Sequence, residues 1–445
     1  MNKQVEEMKP NVMLQTAVPF ALGFALLLSI STNLRFVAFP VGPGELVLAL
    51  LVAAGVWFGK PSQLWKTPVV LFWLCAGLGM LLGAVFADKP GALAVHHAMA
   101  YSFTGAVTVG LVALSGQLSD VAVRRSIFWL TSLTAVVLWF GFVVYLSGDV
   151  MLAKQLYMAD GGDIRYSGWS INPNQLALFF VPLPVWVAAL WRDVAKPTRL
   201  QMAGFALLLF ALMLMGLLVR SDGLFVVWVF EFVILIMLRL RWEMKASRMS
   251  LLGYALVMVL CVFLVKTFAH GEVRKSVRCT LETLSQGEGM WSTKCYDGQA
   301  FQDQEAFRIG YSDPVAKTGL REELWKHGLQ TWLQSPWVGH GPGEYSWYST
   351  GANGERSEAM ESHNITIDML TQGGILAGFA WLALVSYLLI GAWRIRDSYT
   401  FSVVMMMAAF TFFHNTRQPY FWFVLAFSYE AIRRRLFVSP PTDKP

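Results

Sequence analysis

The chain has 445 residues, 56% hydrophobic and only 14% charged, with mean hydropathy +0.49 and a formal net charge of +6. A soluble chain carries about 25% charged residues, so a water-soluble globular protein is excluded, and long apolar runs without short alternating segments exclude an outer-membrane barrel. The excess of cations points to loop asymmetry across a bilayer and not to nucleic acid.

In chain order, MNKQVEEMKP leads into an apolar run without a small-residue cleavage site, so the first span is expected to act as the targeting signal. Runs near the ~20 residues that cross a bilayer, which lipid forces into helices, fall at 13–32, 43–59, 67–87, 91–115, 127–147, 172–191, 202–219, 224–238, 251–268, 366–393, 400–414 and 419–432. The expected fold class is an all-α polytopic membrane protein with about twelve transmembrane helices. Nine lie in residues 1–268, a large cap on the outer side occupies 269–365 between the ninth and tenth spans, and the last three lie in 366–445 before a cytoplasmic tail.

Alternating the loops across the membrane gathers Lys60, Lys66, Arg124, Arg125, Arg192, Lys196, Arg199, Arg239, Arg241, Lys245, Arg248, Arg394 and Arg396 on one side. Lys3, Lys9 and Arg433 to Arg435 join them, so both termini are expected to be cytoplasmic. The opposite side then holds a loop near 148–171, the turn Arg220-Ser221-Asp222-Gly223 and the long segment 269–365. Within that segment Leu320, Leu324, Trp325, Leu329 and Trp332 recur at helical spacing, and Ser335-Pro336 ends the pattern. Cys75 and Cys261 lie in spans, whereas Cys279 and Cys295 lie in the cap, where an oxidising compartment favours a disulfide between them.

The residues suited to chemistry lie on this cap side. Arg220 closes a span and either snorkels to the interface, pairing with Asp222, or grips a lipid phosphate bidentately. After Arg165, Asn172-Pro173 suits a helix start, and Asn174 and Gln175 follow one turn deeper, where their amides need partners. Arg321 opens the amphipathic helix. Gly339-His340-Gly341-Pro342-Gly343 marks a sharply bent backbone or a close approach to a ligand. His363-Asn364 stands where the cap returns to the membrane, so His363 is placed to act as a base or, protonated, as a cation. HExxH, P-loop, GxSxG and paired metal-binding aspartates are missing from the sequence. The Arg, His and Asn pattern suits a preformed phosphate leaving group, with neither metal nor cofactor expected.

Together these motifs resemble the bacterial O-antigen ligase and O-antigen polymerase superfamily. The Arg220 turn is similar to that family's Ser-Arg-Gly-type turn, although Val219 and Asp222 flank the arginine here. Leu320 to Trp325 through Gly343 resembles its Arg-bearing helix and Gly-x-Gly loop. Ser362-His363-Asn364 through Gly378 resembles its His-Asn stretch, and Arg165 to Asn174 its Asn-Pro-Asn element. The resemblance implies a glycosyltransferase of the bacterial inner membrane, with its active site facing the periplasm. Its donor would be an undecaprenyl-diphosphate-linked glycan and its acceptor lipid A–core oligosaccharide, completing lipopolysaccharide. Arg220 and Arg321 would bind the diphosphate, and His363 would activate the acceptor hydroxyl or assist at the phosphate. Arg165, Asn172, Asn174, Gly339, Gly341 and Asn364 would contribute to substrate binding. A polymerase extending one lipid-linked glycan with another, or a protein O-oligosaccharyltransferase, fits the same motifs.

A lipid or polysaccharide transporter is the alternative from another class. It requires ionisable groups deep within spans, for which Glu45, Glu231 and His96-His97 are the candidates.

Overall fold

The computed structural model describes residues 12–31, 42–58, 64–86, 91, 93–146, 157–160, 163–170, 173–194, 197–219, 221–242, 253–261, 263, 314–349, 356–412 and 417–437. Its helices are α1 (Val12–Ile30), α2 (Pro43–Phe58), α3 (Pro68–Phe86), α4 (Ala94–Ser115), α5 (Asp120–Leu146), α6 (Pro173–Phe180), α7 (Leu183–Arg192), α8 (Arg199–Leu218), α9 (Asp222–Trp242), α10 (Pro314–Gln334), α11 (Ile365–Arg394), α12 (Ser398–Phe410) and α13 (Pro419–Phe437). Two short antiparallel pairs interrupt them: β1 (Tyr157–Asp160) with β2 (Asp163–Tyr166), and β3 (Ser346–Ser349) with β4 (Arg356–Met360). The fold is helical, with two small hairpins on connecting segments. Alternation in four- and five-residue stretches is too brief to register against the apolar runs around it.

Seven helical segments among the described residues are long and apolar enough to cross a membrane, and Gln15–Ile30, Pro43–Trp57 and Ser398–Phe410 are shorter apolar helices. The expected twelve spans are thus met in part. The short run 224–238 belongs to a full-length helix, α9. The expected span 172–191 is interrupted at Val181-Pro182, between α6 and α7, where Pro182 and Pro184 supply no backbone N–H. Of the ninth expected span, residues 253–261 and 263 are helical.

One end of the bundle collects the arginines. Arg124 pairs with Asp193 at 3.0 Å, and Arg192 and Arg435 pair with Asp397 at 3.4 and 2.8 Å. Arg434 bonds Glu430 and the Ser115 carbonyl, each at 2.7 Å. Arg239 donates to the Tyr399 hydroxyl at 2.7 Å. At the same end Ser119 donates to Gln15 in the first turns of α1. The start of α1 and the end of α13 therefore lie together, as the loop charges require. Burial raises the Asp397 carboxyl, but Arg435 and Arg192 outweigh it and hold the group below the ordinary range. The 30 residues of α11 run from the opposite end of the bundle to this one.

The intramembrane candidates separate on inspection. Glu45 accepts the Gly42 amide at 3.0 Å in the first turn of α2, and His97 lies in the first turn of α4, so both sit at helix ends. Glu231 is mid-helix in α9 and fully buried, and neither carboxyl oxygen has a hydrogen-bond partner among the described residues.

Candidate functional site

At the end opposite the arginine cluster, a broken helix and a glycine loop build one rigid junction. α11 is interrupted at Gly374, whose φ of 62° and ψ of −160° belong to glycine alone. The break frees carbonyls and an amide, and the loop after α10 satisfies them. His340 N donates to Thr371 O at 2.8 Å, Gly341 N to Gln372 O at 2.9 Å, and Ile375 N to Pro336 O at 3.0 Å. The loop passes so close that a Cβ on Gly374 would meet Trp337 O at 2.3 Å, and one on Gly83 of α3 would meet Gly341 N at 2.3 Å. Gly339 and Gly341, with φ of 71° and 81°, turn the chain within this crevice. Their amides are committed to Ser335 O and Gln372 O. His340 Nε2 lies 2.8 Å from Thr331 O; a carbonyl only accepts, so that nitrogen carries the proton and the ring braces the loop.

The same junction sets the start of α11. Asn364 caps it, its side chain accepting from Thr366 N at 3.0 Å and Ile367 N at 3.4 Å. Ser362 N and its hydroxyl lie 3.0 and 2.7 Å from Asp368 Oδ1. Between these two anchors His363 takes φ 54°, an uncommon backbone for a side-chain-bearing residue, and it is half-buried. Bonds on both flanks hold this uncommon backbone in place.

Beneath this turn lies a polar cluster in an otherwise apolar bundle. His97 Nε2 is 3.4 Å from Glu344 Oε1 and 3.7 Å from Glu361 Oε1. Arg417 pairs with the same Glu361 oxygen, while its carbonyl accepts from Thr104 at 2.7 Å. Gln372 donates to Tyr101 at 3.3 Å and accepts from Gly343 N at 3.4 Å, tying loop, α4 and α11 together. Burial raises Glu361 to about 8, against the opposing pull of Arg417 and with added repulsion from Asp368 and Glu344. Burial likewise raises the Tyr345 hydroxyl to about 12; it rests 2.6 Å from His340 O.

His97, Glu344 and Glu361 place three donor atoms within 4.8 Å of one another, a spacing that could bracket a metal ion. The donor set fits a metal poorly, since the shared Glu361 oxygen already faces the Arg417 guanidinium. His97 Nδ1 also has no hydrogen-bond partner among the described residues, whereas a ligating imidazole is normally oriented through its second nitrogen. The arrangement can instead hold protons and fixed charges next to the turn that carries His363.

Of the residues singled out from sequence, His363, Asn364, Gly339 and Gly341 are gathered here. Asn174 lies half-buried in the first turn of α6. Arg321 sits within α10 and Arg165 within β2 opposite Met158; only their backbone is described. Arg220, Asn172, Cys279 and Cys295 lie outside the described residues. Sequence reasoning missed Glu344, Glu361 and Arg417 as partners. Glu344 follows the glycine loop directly and was the visible clue; Glu361 and Arg417 are distant in sequence and had none.

Residues 205–382 match the family model of the O-antigen ligases. The match supports the O-antigen ligase superfamily and runs from α8 to the middle of α11. It spans Arg220, Arg321, the glycine loop and His363. The superfamily comprises glycosyltransferase-like membrane enzymes that handle lipid-linked glycans. A comparison with curated proteins gives no match.

Proposed function

We propose that the chain is an O-antigen ligase-type glycosyltransferase of the bacterial inner membrane. It moves a glycan from undecaprenyl diphosphate to lipid A–core oligosaccharide at the periplasmic face. The observation that carries this reading is His363, held by the Ser362–Asp368 and Asn364 anchors at the head of α11 inside the matched stretch.

The acceptor hydroxyl attacks the anomeric carbon of the donor sugar, and the bond from that carbon to the diphosphate oxygen breaks. His363 takes the hydroxyl proton, and the electron pair leaves with undecaprenyl diphosphate. Arg220 and Arg321 offset the charge that builds on the diphosphate. Arg165 in β2, Asn172 just before α6 and Asn174 in the first turn of α6 contact the donor. The arginine-rich end of the bundle faces the cytoplasm, by the loop-charge rule.

The test is a reconstituted assay with purified protein, undecaprenyl-diphosphate glycan and lipid A–core. Glycan on lipid A–core, lost in Arg321→Ala and His363→Ala, is the expected result. Glycan lengthening on its own carrier would replace the ligase reading with the polymerase one.

A further inference from the structure

From residue 322 onward the exposed side of α10 carries two stripes. Glu322, Lys326, Gln330 and Gln334, all exposed, follow at four-residue steps as a polar stripe, and beside it run Leu329, Leu333 at 64% exposure and Trp337 at 73%. Leu329, Leu333 and Trp337 follow at four-residue steps, and Gly339 N donates to Ser335 O, so the helical turn continues past the end of α10. A helix lying flat on a membrane has a polar and an apolar stripe side by side. The second half of α10 carries both stripes, so its apolar stripe is the one suited to face acyl chains.

The tip is also at the right depth. Val338 and Gly341 press on Gly83 in the last turn of α3, and Trp337 presses on Gly374, nine residues into α11. Both helices are long and apolar enough to span a membrane. Close in the chain to these contacts, α3 exposes Leu81, Val85 and Phe86 and α11 exposes Phe379 and Leu382. Water-facing cap residues would leave large apolar side chains in solvent at the level where the neighbouring helices face lipid.

We propose that residues 329–341 are a membrane-inserted wedge, with Leu329, Leu333 and Trp337 seated among the acyl chains of the leaflet on the cap side. The wedge holds the Gly339–Gly343 loop and the cluster under His363 at the lipid surface. It rests on packing and exposure and stands whatever the glycan acceptor is.

The test places the photo-crosslinking residue p-benzoylphenylalanine, one site at a time, at Lys326, Leu333, Trp337 and, as a span reference, Leu382 of the full chain in phospholipid vesicles. Adducts are read by mass spectrometry. Phospholipid adducts at positions 333 and 337 are expected within about twofold of position 382 and about fivefold above position 326, as for a face buried a few ångströms below the headgroups. Adducts at 333 and 337 no higher than at 326, with 382 labelled, would overturn the proposal. Adducts to a second copy of the chain at 333 and 337 would overturn it as well, making the face a protein interface.

Discussion

Gly374→Ala isolates the junction on which the candidate site depends. The substitution forces a side chain into φ 62°, ψ −160°, a region that costs about 1–3 kcal/mol for any residue but glycine. The new Cβ would also meet backbone at Trp337 O, Trp337 C and Val338 C, at 2.3, 2.6 and 2.7 Å, and backbone cannot rotate away. Relieving that clash pushes the loop from α11 and weakens the His340–Thr371, Gly341–Gln372 and Ile375–Pro336 bonds, each worth about 0.5–1.5 kcal/mol. The combined cost is roughly 3–6 kcal/mol. The paired control is Gly77→Ala in α3, where nothing lies within 4 Å of the added Cβ. That change is expected to be neutral or to stabilise by about 0.4–1 kcal/mol. Both proteins would be compared with the parent by heat inactivation and by transfer activity in the same lipid. Gly374→Ala should lose stability and activity together, with Gly77→Ala unchanged in both. Equal melting of Gly374→Ala and the parent would refute the account of the broken helix and its loop.

Other outcomes follow from the cluster and the turn. His363→Ala and Arg321→Ala should remove transfer by a factor of about 10²–10⁴ while leaving heat stability near that of the parent; loss of stability to match would mean structural roles. Glu361 is raised above its ordinary value of 4.5 to about 8, so its stabilising contribution is full below about 4.5 and is lost as pH rises through about 8. The parent should therefore lose thermal stability across that window and Glu361→Gln should not, and superimposable pH curves would contradict the raised carboxyl. Because Arg417 already faces the shared Glu361 oxygen, transfer should persist in excess chelator. Activity lost to chelator and regained with one divalent cation would reassign His97, Glu344 and Glu361 as a metal centre.

Much of the architecture was legible in the chain because a bilayer imposes strong rules on sequence. Apolar runs mark spans, and arginines gather at one end, as Arg124, Arg192, Arg434 and Arg435 do. The amphipathic spacing from Leu320 to Trp332 located α10, and Asn364 was visible beside His363. The hairpins were not legible, since strands of four or five residues leave little periodic signal.

By itself the sequence determined that this is a helical membrane protein. Only the tertiary structure decided that the glycine loop is spent on mending a broken helix. It also decided that His97, Glu344, Glu361 and Arg417, up to hundreds of residues apart, form one buried cluster. The reason is physical: composition and periodicity report how each segment meets its solvent, whereas hydrogen bonds released by a break in one helix are satisfied by whichever distant backbone the fold brings alongside.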